Sequence, residues 1–181
     1  MKVTQTAISD LLIIAPQIFG DDRGFFFESF NRRKFAEVTG HDVDFVQDNH
    51  SRSAKGVLRG LHYQIQHPQG KLVRVVHGAV LDVAVDIRKS SPTFGQYVAL
   101  ELSAENRRML WMPDGFAHGF VTLTDSAEFL YKTTDYYYPE HERCIRWNDP
   151  TLQIDWRLQA LPLLSSKDAL GKTFGEAELF A

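Results

Sequence analysis

Gly56–Gln64 reads GVLRGLHYQ, and the fold turns on how this stretch is read. Val57, Leu58, Leu61 and Tyr63 are strand formers, and Ser53-Ala54-Lys55-Gly56 just before them has turn composition. The stretch is therefore predicted to be a strand that holds His62 rigidly. Strict alternation places Leu58, Gly60, His62 and Gln64 on one face and Arg59 on the other. Gly60 bears on that assignment, because a glycine inside a strand marks a bulge or a close approach to the backbone. With a bulge there, Arg59 and His62 can face the same cavity. On local sequence alone, a hydrogen-bonded core histidine is the ordinary role for His62.

Further out, from Phe45 to Thr134, short apolar or alternating runs are separated by turn signals. The runs are Phe45–Asn49, Val57–Gln64, Lys71–His77, Val80–Arg88, Tyr97–Leu102, Arg108–Met112, Phe120–Thr122 and Glu128–Thr134. Many short strands at such spacing, with no helical period between them, predict an antiparallel sandwich or barrel. Towards the N-terminus, Leu11–Phe19 and Phe25–Phe30 are predicted strands around the loop Gly20-Asp21-Asp22-Arg23-Gly24. Asn31 is a good N-cap for a short helix Arg32–Thr39 closed by Gly40. Beyond Asp135 the chain is loop-rich, with a strand expected at Arg143–Trp147 and a short helix starting near Ser165. The expectation is one mainly β domain over residues 1–181, with a few short helices.

At 181 residues the chain is long enough to bury a real core. Hydrophobic content of 44% and charged content of 24% are those of an ordinary globular protein. A net charge of −3 speaks against nonspecific nucleic-acid binding, which needs a basic surface. Cys144 is the only cysteine, so no intrachain disulfide can form and nothing points to secretion. Asp10 interrupts any signal-peptide core, and the run Leu11–Pro16 is far too short to span a bilayer. A cytoplasmic protein with no membrane or nucleic-acid partner is expected.

Two spacings carry chemistry. One runs from Gly56 through His62 and Gln64 to Lys71 and Gly78, and the other is Pro113-Asp114-Gly115-Phe116-Ala117-His118. Together they resemble the two motifs of the cupin superfamily, a jelly-roll β-sandwich or barrel. Metal-binding cupins use a His-x-His pair, a glutamate and a later histidine. Here Gln64 stands at the second histidine and Lys71 near the glutamate, and amide and ammonium are poor metal ligands. The resemblance thus implies a cupin without its metal. A lysine in a dry barrel can still stabilise charge developing on an oxygen. A nearby histidine is a suitable general base, and the pair suits proton abstraction beside a carbonyl.

The resemblance is closer than superfamily level. FGDDRGFFFESF, QDNHS, GVLRGLHYQ, QGKLVRVVHG, SPTFG, MPDGFAHGF, EFLYKTTDYY, PEHERCIRWNDP and LLSSKD resemble the dTDP-4-dehydrorhamnose 3,5-epimerase family, from about Ile8 to Asp168. That family inverts the two carbons flanking the ketone of a dTDP-linked 4-keto-6-deoxy sugar, without metal or organic cofactor, and is typically a homodimer. The resemblance implies that His62 is the base, Asp168 its paired carboxylate, Tyr131 the acid on the opposite face and Lys71 the partner of the keto oxygen. It implies substrate contacts from Arg23, Glu28, Gln47, Asn49, Arg59, His118, Glu142 and Lys167, with Arg23, Arg59 and Lys167 suited to a diphosphate. One of Tyr136, Tyr137 and Tyr138 is expected to stack on the thymine, Tyr137 by register.

Each of these residues also has a purely structural role open to it. Ser165–Asp168 reads as a capping box, Tyr131 as a strand residue, Arg23 as a turn residue and His118 as a loop cap. The tyrosine cluster can pack on Pro139. The resemblance favours the catalytic roles because it places all of them at once. Cys144 departs from it where glycine is more usual, and His77 where arginine is. Other functions to be separated are a related 3-epimerase, a metal-dependent cupin oxygenase and a non-catalytic sugar-binding cupin.

Overall fold

The computed structural model describes all 181 residues, Met1–Ala181. The strands are β1 (Lys2–Gln5), β2 (Leu12–Ala15), β3 (Phe19–Asp21), β4 (Gly24–Phe26), β5 (Gln47–Ala54), β6 (Leu58–Gln64), β7 (Lys71–His77), β8 (Ala79–Asp86), β9 (Tyr97–Ser103), β10 (Met109–Met112), β11 (Phe116–Thr122), β12 (Ser126–Thr133) and β13 (Glu142–Cys144). The α-helices are α1 (Arg32–Thr39) and α2 (Ser166–Ala169). A six-stranded sheet in the order β1-β2-β10-β7-β12-β5 faces a five-stranded one in the order β13-β6-β11-β8-β9, and β3 and β4 form a separate hairpin. The two large sheets stay separate, so the jelly-roll expectation holds in its sandwich form. No helix is long and apolar enough to cross a membrane.

Strand alternation sorts the apolar side chains into layers. Val73 and Val75 of β7, Leu110 and Met112 of β10 and Phe129 of β12 meet Val80 and Ala84 of β8, Leu102 of β9, and Phe116 and Phe120 of β11 in the central core. The opposite parity of β8, Leu81, Val83 and Val85, faces outward and is covered by Leu152, Trp156 and Phe174 of the C-terminal segment. Buried on both faces, β8 is accordingly an almost unbroken apolar run. On the far side, α1 lays Phe35 against Trp111, Met109 and Ile14 on the outer face of the six-stranded sheet. Asn31 caps α1 by accepting from Lys34 N–H, and Gly40 closes it at φ 77°, as its sequence signals require.

Where element limits differ from expectation, the cause is local. β2 stops at Ala15 because Pro16 has no N–H to offer the ladder. Only Phe25 and Phe26 of the expected strand Phe25–Phe30 pair, together with Gly24 of the loop before it, after which Phe27 and Phe30 turn back against the α1 cluster. β5 runs on through the polar QDNHSRSA, which reads poorly as strand because it edges its sheet and lines a polar cavity. β11 begins at Phe116, not Phe120, and the expected strand Arg143–Trp147 pairs at Glu142–Cys144 instead.

Candidate active site

The cavity lies between the sheets and occupies about 210 Å³. His62, His118 and Arg59 reach it from the five-stranded sheet, and Lys71, Phe129 and Tyr131 from the six-stranded one, with Glu142 and Tyr137 at its rim. The β6–β11 register shifts between His118 and Phe120, the bulge that Gly60 signals. Its parity change puts Leu58, Leu61 and Tyr63 into the outer core and turns both Arg59 and His62 to the cavity. Strict alternation, which separates Arg59 from His62, therefore fails at Gly60. Only glycine fits there: φ is 112°, and a Cβ would lie 2.6 Å from both Gly119 Cα and His118 O.

The C-terminal segment delivers the carboxylate. Leu58 N–H donates to Leu163 O at 3.0 Å and Leu163 N–H to Gly56 O at 2.9 Å, so this segment runs along β6 into α2. Ser165 caps α2 and donates from its hydroxyl to Asp168 Oδ2, while Gly60 N–H donates to Oδ1 at 3.0 Å. The helix cap and the carboxylate beside His62 thus come from the same four residues. His62 Nε2 lies 2.7 Å from Asp168 Oδ1, a close contact off the N–H direction and so not an aligned hydrogen bond. Burial pushes the Asp168 carboxyl up, but His62, the Ser165 hydroxyl and Gly60 N–H outweigh it and hold the group well below the usual carboxylate range. Asp168 is therefore a fixed anion beside His62, suited to orient the ring and stabilise its cation.

Lys71 is 8% exposed. Burial lowers its ammonium to about 8, with Glu142 and Asp82 opposing. His118 Nε2 lies 2.9 Å from Asp82 Oδ2, both side chains being buried. Asp82 is absent from the residues singled out by sequence, although a carboxylate inside the apolar run VLDVAV was a signal for it. Tyr131 is pushed up by burial and by Glu142, against Arg59 and Lys167, so its phenol keeps a proton to give. At the rim, Glu142 accepts from Tyr137 Oη at 2.7 Å and from Lys167 Nζ. Burial raises the Glu142 carboxyl, but those two donors together with His62 bring it below its ordinary value.

Gln47 accepts from Tyr137 N–H at 3.0 Å and donates to Asn49 at 2.9 Å, leaving the buried Asn49 Nδ2 without a partner. Of the three tyrosines, Tyr137 lines the cavity, whereas Tyr138 stacks on His67 at 4.3 Å. Arg23 and Glu28 are not among the cavity residues of this chain. Arg23 pairs with Asp21 in the exposed β3–β4 hairpin, and Glu28 with Lys34 at 3.0 Å.

The cupin metal position does not suit a metal here. Gln64 donates to His67 O at 2.7 Å and Tyr136 O at 3.1 Å and accepts from Tyr138 N–H at 2.7 Å. Its amide is thus committed to holding the tyrosine loop, and Lys71 brings a positive charge where a ligand would be.

Fold and cavity together define a cupin-like protein whose cavity gathers titratable side chains from both sheets. The family model described as dTDP-4-dehydrorhamnose 3,5-epimerase matches residues 5–176. The chain is 66% identical over 180 residues to the protein of that name from Pseudomonas aeruginosa, covering 99% of both chains. It is 59% identical over 181 residues to the one from Shigella flexneri, again covering 99% of each. Among solved structures, the Legionella pneumophila dTDP-6-deoxy-D-glucose-3,5-epimerase in complex with dTDP-4-keto-L-rhamnose superposes with a TM-score of 0.96 at 55% identity, covering 98% of this chain and 94% of that one. The chain belongs to the dTDP-4-dehydrorhamnose 3,5-epimerase family, and is an isomerase.

Proposed function

We propose that this chain inverts carbons 3 and 5 of dTDP-4-dehydro-6-deoxy-D-glucose to give dTDP-4-dehydro-L-rhamnose, a step towards dTDP-L-rhamnose. The observation that carries the mechanism is that His62 and Tyr131 enter one cavity from opposite sheets. His62 removes the proton beside the C4 ketone, and the C–H electron pair moves into an enolate whose oxygen faces the Lys71 ammonium. Asp168 stabilises the resulting imidazolium. Tyr131 gives its phenolic proton to the opposite face of the same carbon, which inverts it; the imidazolium then releases its proton to solvent and the phenolate takes one back, which resets both groups. The second carbon follows by the same exchange. No metal or organic cofactor enters any step.

Arg59 and Lys167 suit the diphosphate. Tyr137 suits stacking on the thymine, and Gln47, Asn49, His118 and Glu142 the sugar and its linkage. Arg23 and Glu28 fit this scheme in a homodimer, where the hairpin of one protomer reaches the cavity of the other. The exposure of Phe19 (57%), Phe25 (60%) and Phe26 (69%) on that hairpin supports an apolar contact of this kind. Light scattering at micromolar concentration is expected to give a dimer, and a monomer would remove this role for Arg23 and Glu28.

The acid and base are separated by two variants in deuterated water. His62→Ala is expected to lose both inversion and solvent exchange, by about a hundred- to ten-thousandfold. Tyr131→Phe still forms the enolate, so it incorporates deuterium into unepimerised substrate while making little inverted product. Exchange at the wild-type rate in His62→Ala would show that the base lies elsewhere. Normal inversion in Tyr131→Phe would do the same for the acid.

A further inference from the structure

Cys144 places beside His62 and Asp168 a donor that the proton-transfer chemistry does not use. It lies on β13 directly across the strand pair from His62 on β6, so the two side chains share a face. A ring nitrogen of His62, the Cys144 sulfur and a carboxylate oxygen of Asp168 all lie within 4.8 Å of one another. We propose that His62, Cys144 and Asp168 form a binding site for zinc or a similar borderline-soft divalent cation, and that its occupation switches the enzyme off.

An imidazole, a thiolate and a carboxylate are the donor types that zinc takes, and three protein ligands leave its fourth position open. Tetrahedral zinc with ligand bonds of about 2.0 Å to nitrogen and oxygen sets those donors about 3.3 Å apart. The His62–Asp168 contact of 2.7 Å must therefore open by roughly 0.6 Å. His62 Nε2 makes no aligned hydrogen bond that would resist this. Asp168 is already fixed from behind by the Ser165 hydroxyl and Gly60 N–H, the kind of outer support that orients metal ligands. This site shares His62 with the cupin metal position but takes Cys144 and Asp168 in place of Gln64 and Lys71.

Thiolate and carboxylate together neutralise the dication, and the thiol proton is released as it binds. Burial and the Asp168 charge push the Cys144 thiol up to about 12, so without metal it is a neutral thiol and not a reactive nucleophile. Once zinc holds the His62 lone pair, no base remains to take the sugar proton. The inhibitory half of the inference rests on the proposed reaction, whereas the binding half does not.

The test uses metal-depleted full-length protein, with Cys144→Ala and Cys144→Ser beside wild type. Wild type is expected to bind one zinc per chain by calorimetry and to show a thiolate-to-metal absorption band with cobalt(II). Its turnover should fall with zinc occupancy and return with EDTA. Both variants should bind zinc about tenfold more weakly or worse and lack the cobalt band. At a fixed zinc concentration they should also keep more of their own metal-free rate. No binding by wild type, or equal affinity and the cobalt band in the variants, overturns the site. Binding that depends on Cys144 but leaves turnover unaffected overturns the switch alone. The calorimetry and spectra need no sugar substrate, so failure of the epimerase reading is distinguishable from failure of the site.

Discussion

Replacing Lys71 with methionine should make the protein more stable and nearly inactive at the same time. The ammonium sits at 8% exposure, and burial lowers its pKa from 10.5 to about 8 against the pull of Glu142 and Asp82. That difference corresponds to roughly 3 kcal/mol by which the folded state disfavours the charged lysine at neutral pH. Between pH 8 and 10.5 the unfolded chain binds more protons at this residue than the folded one, so stability rises with pH across that window. The penalty is therefore present at pH 7 and gone above about 10.5. Methionine has similar length and no charge, so Lys71→Met should gain up to roughly 3 kcal/mol at pH 7, or about 6 to 12 °C in Tm at this chain length. The gain should shrink to nothing as the pH approaches the ordinary lysine range. Turnover should fall about a hundred- to a thousandfold with loss of the group facing the enolate oxygen. The assay is calorimetric unfolding of both proteins from pH 7 to 10.5, at one protein concentration, with epimerisation rates alongside. A Lys71→Met protein less stable than wild type at pH 7, or one that turns over normally, would refute the reasoning.

Gly60→Ala should destabilise by about 1 to 3 kcal/mol or fail to fold, because the new Cβ meets the Gly119 and His118 backbone at 2.6 Å; urea unfolding checks it. Asp168→Asn should keep the fold of α2 but cut turnover about a hundred- to ten-thousandfold by leaving the imidazolium uncompensated. Steady-state rates together with circular dichroism separate the two effects. Dialysis against EDTA should leave activity unchanged or raise it, and activity lost to chelator and restored by a divalent ion would overturn the metal-free reading of the donors. In the wild-type pH profile, the neutralisation of Lys71 near 8 should give a falling alkaline limb; a rate flat through pH 9 would contradict it.

The architecture was legible because the central strands obey a period of two and turn residues separate them, and α1 because Asn31 and Gly40 bracket it. The polarity of β5 hid its length, since both the edge position and the cavity favour the same polar residues. Gly60 announced a bulge, but only the register of β6 against β11 shows that the bulge turns Arg59 and His62 to one side. Asp168 is the part of the site least accessible to local reading. Its contact with the Gly60 N–H spans 108 residues and depends on the Leu163 anchor along β6, which no local pattern encodes. Family resemblance reached Asp168 where residue chemistry alone saw only a helix cap. Asp82 was reached by neither route: the stretch around it was expected only as an apolar strand, and its pairing with His118 emerges once β8 and β11 are aligned.

The central claim is that one base and one acid from opposite walls exchange protons at both carbons beside the ketone. It is tested most directly by incubating the wild-type protein with dTDP-4-keto-6-deoxyglucose in deuterated water and locating the label by proton NMR and mass spectrometry. The expected result is solvent deuterium at carbons 3 and 5 of an inverted product. Label at carbon 3 alone would contradict the two-carbon inversion, and label at neither carbon would contradict the reaction itself.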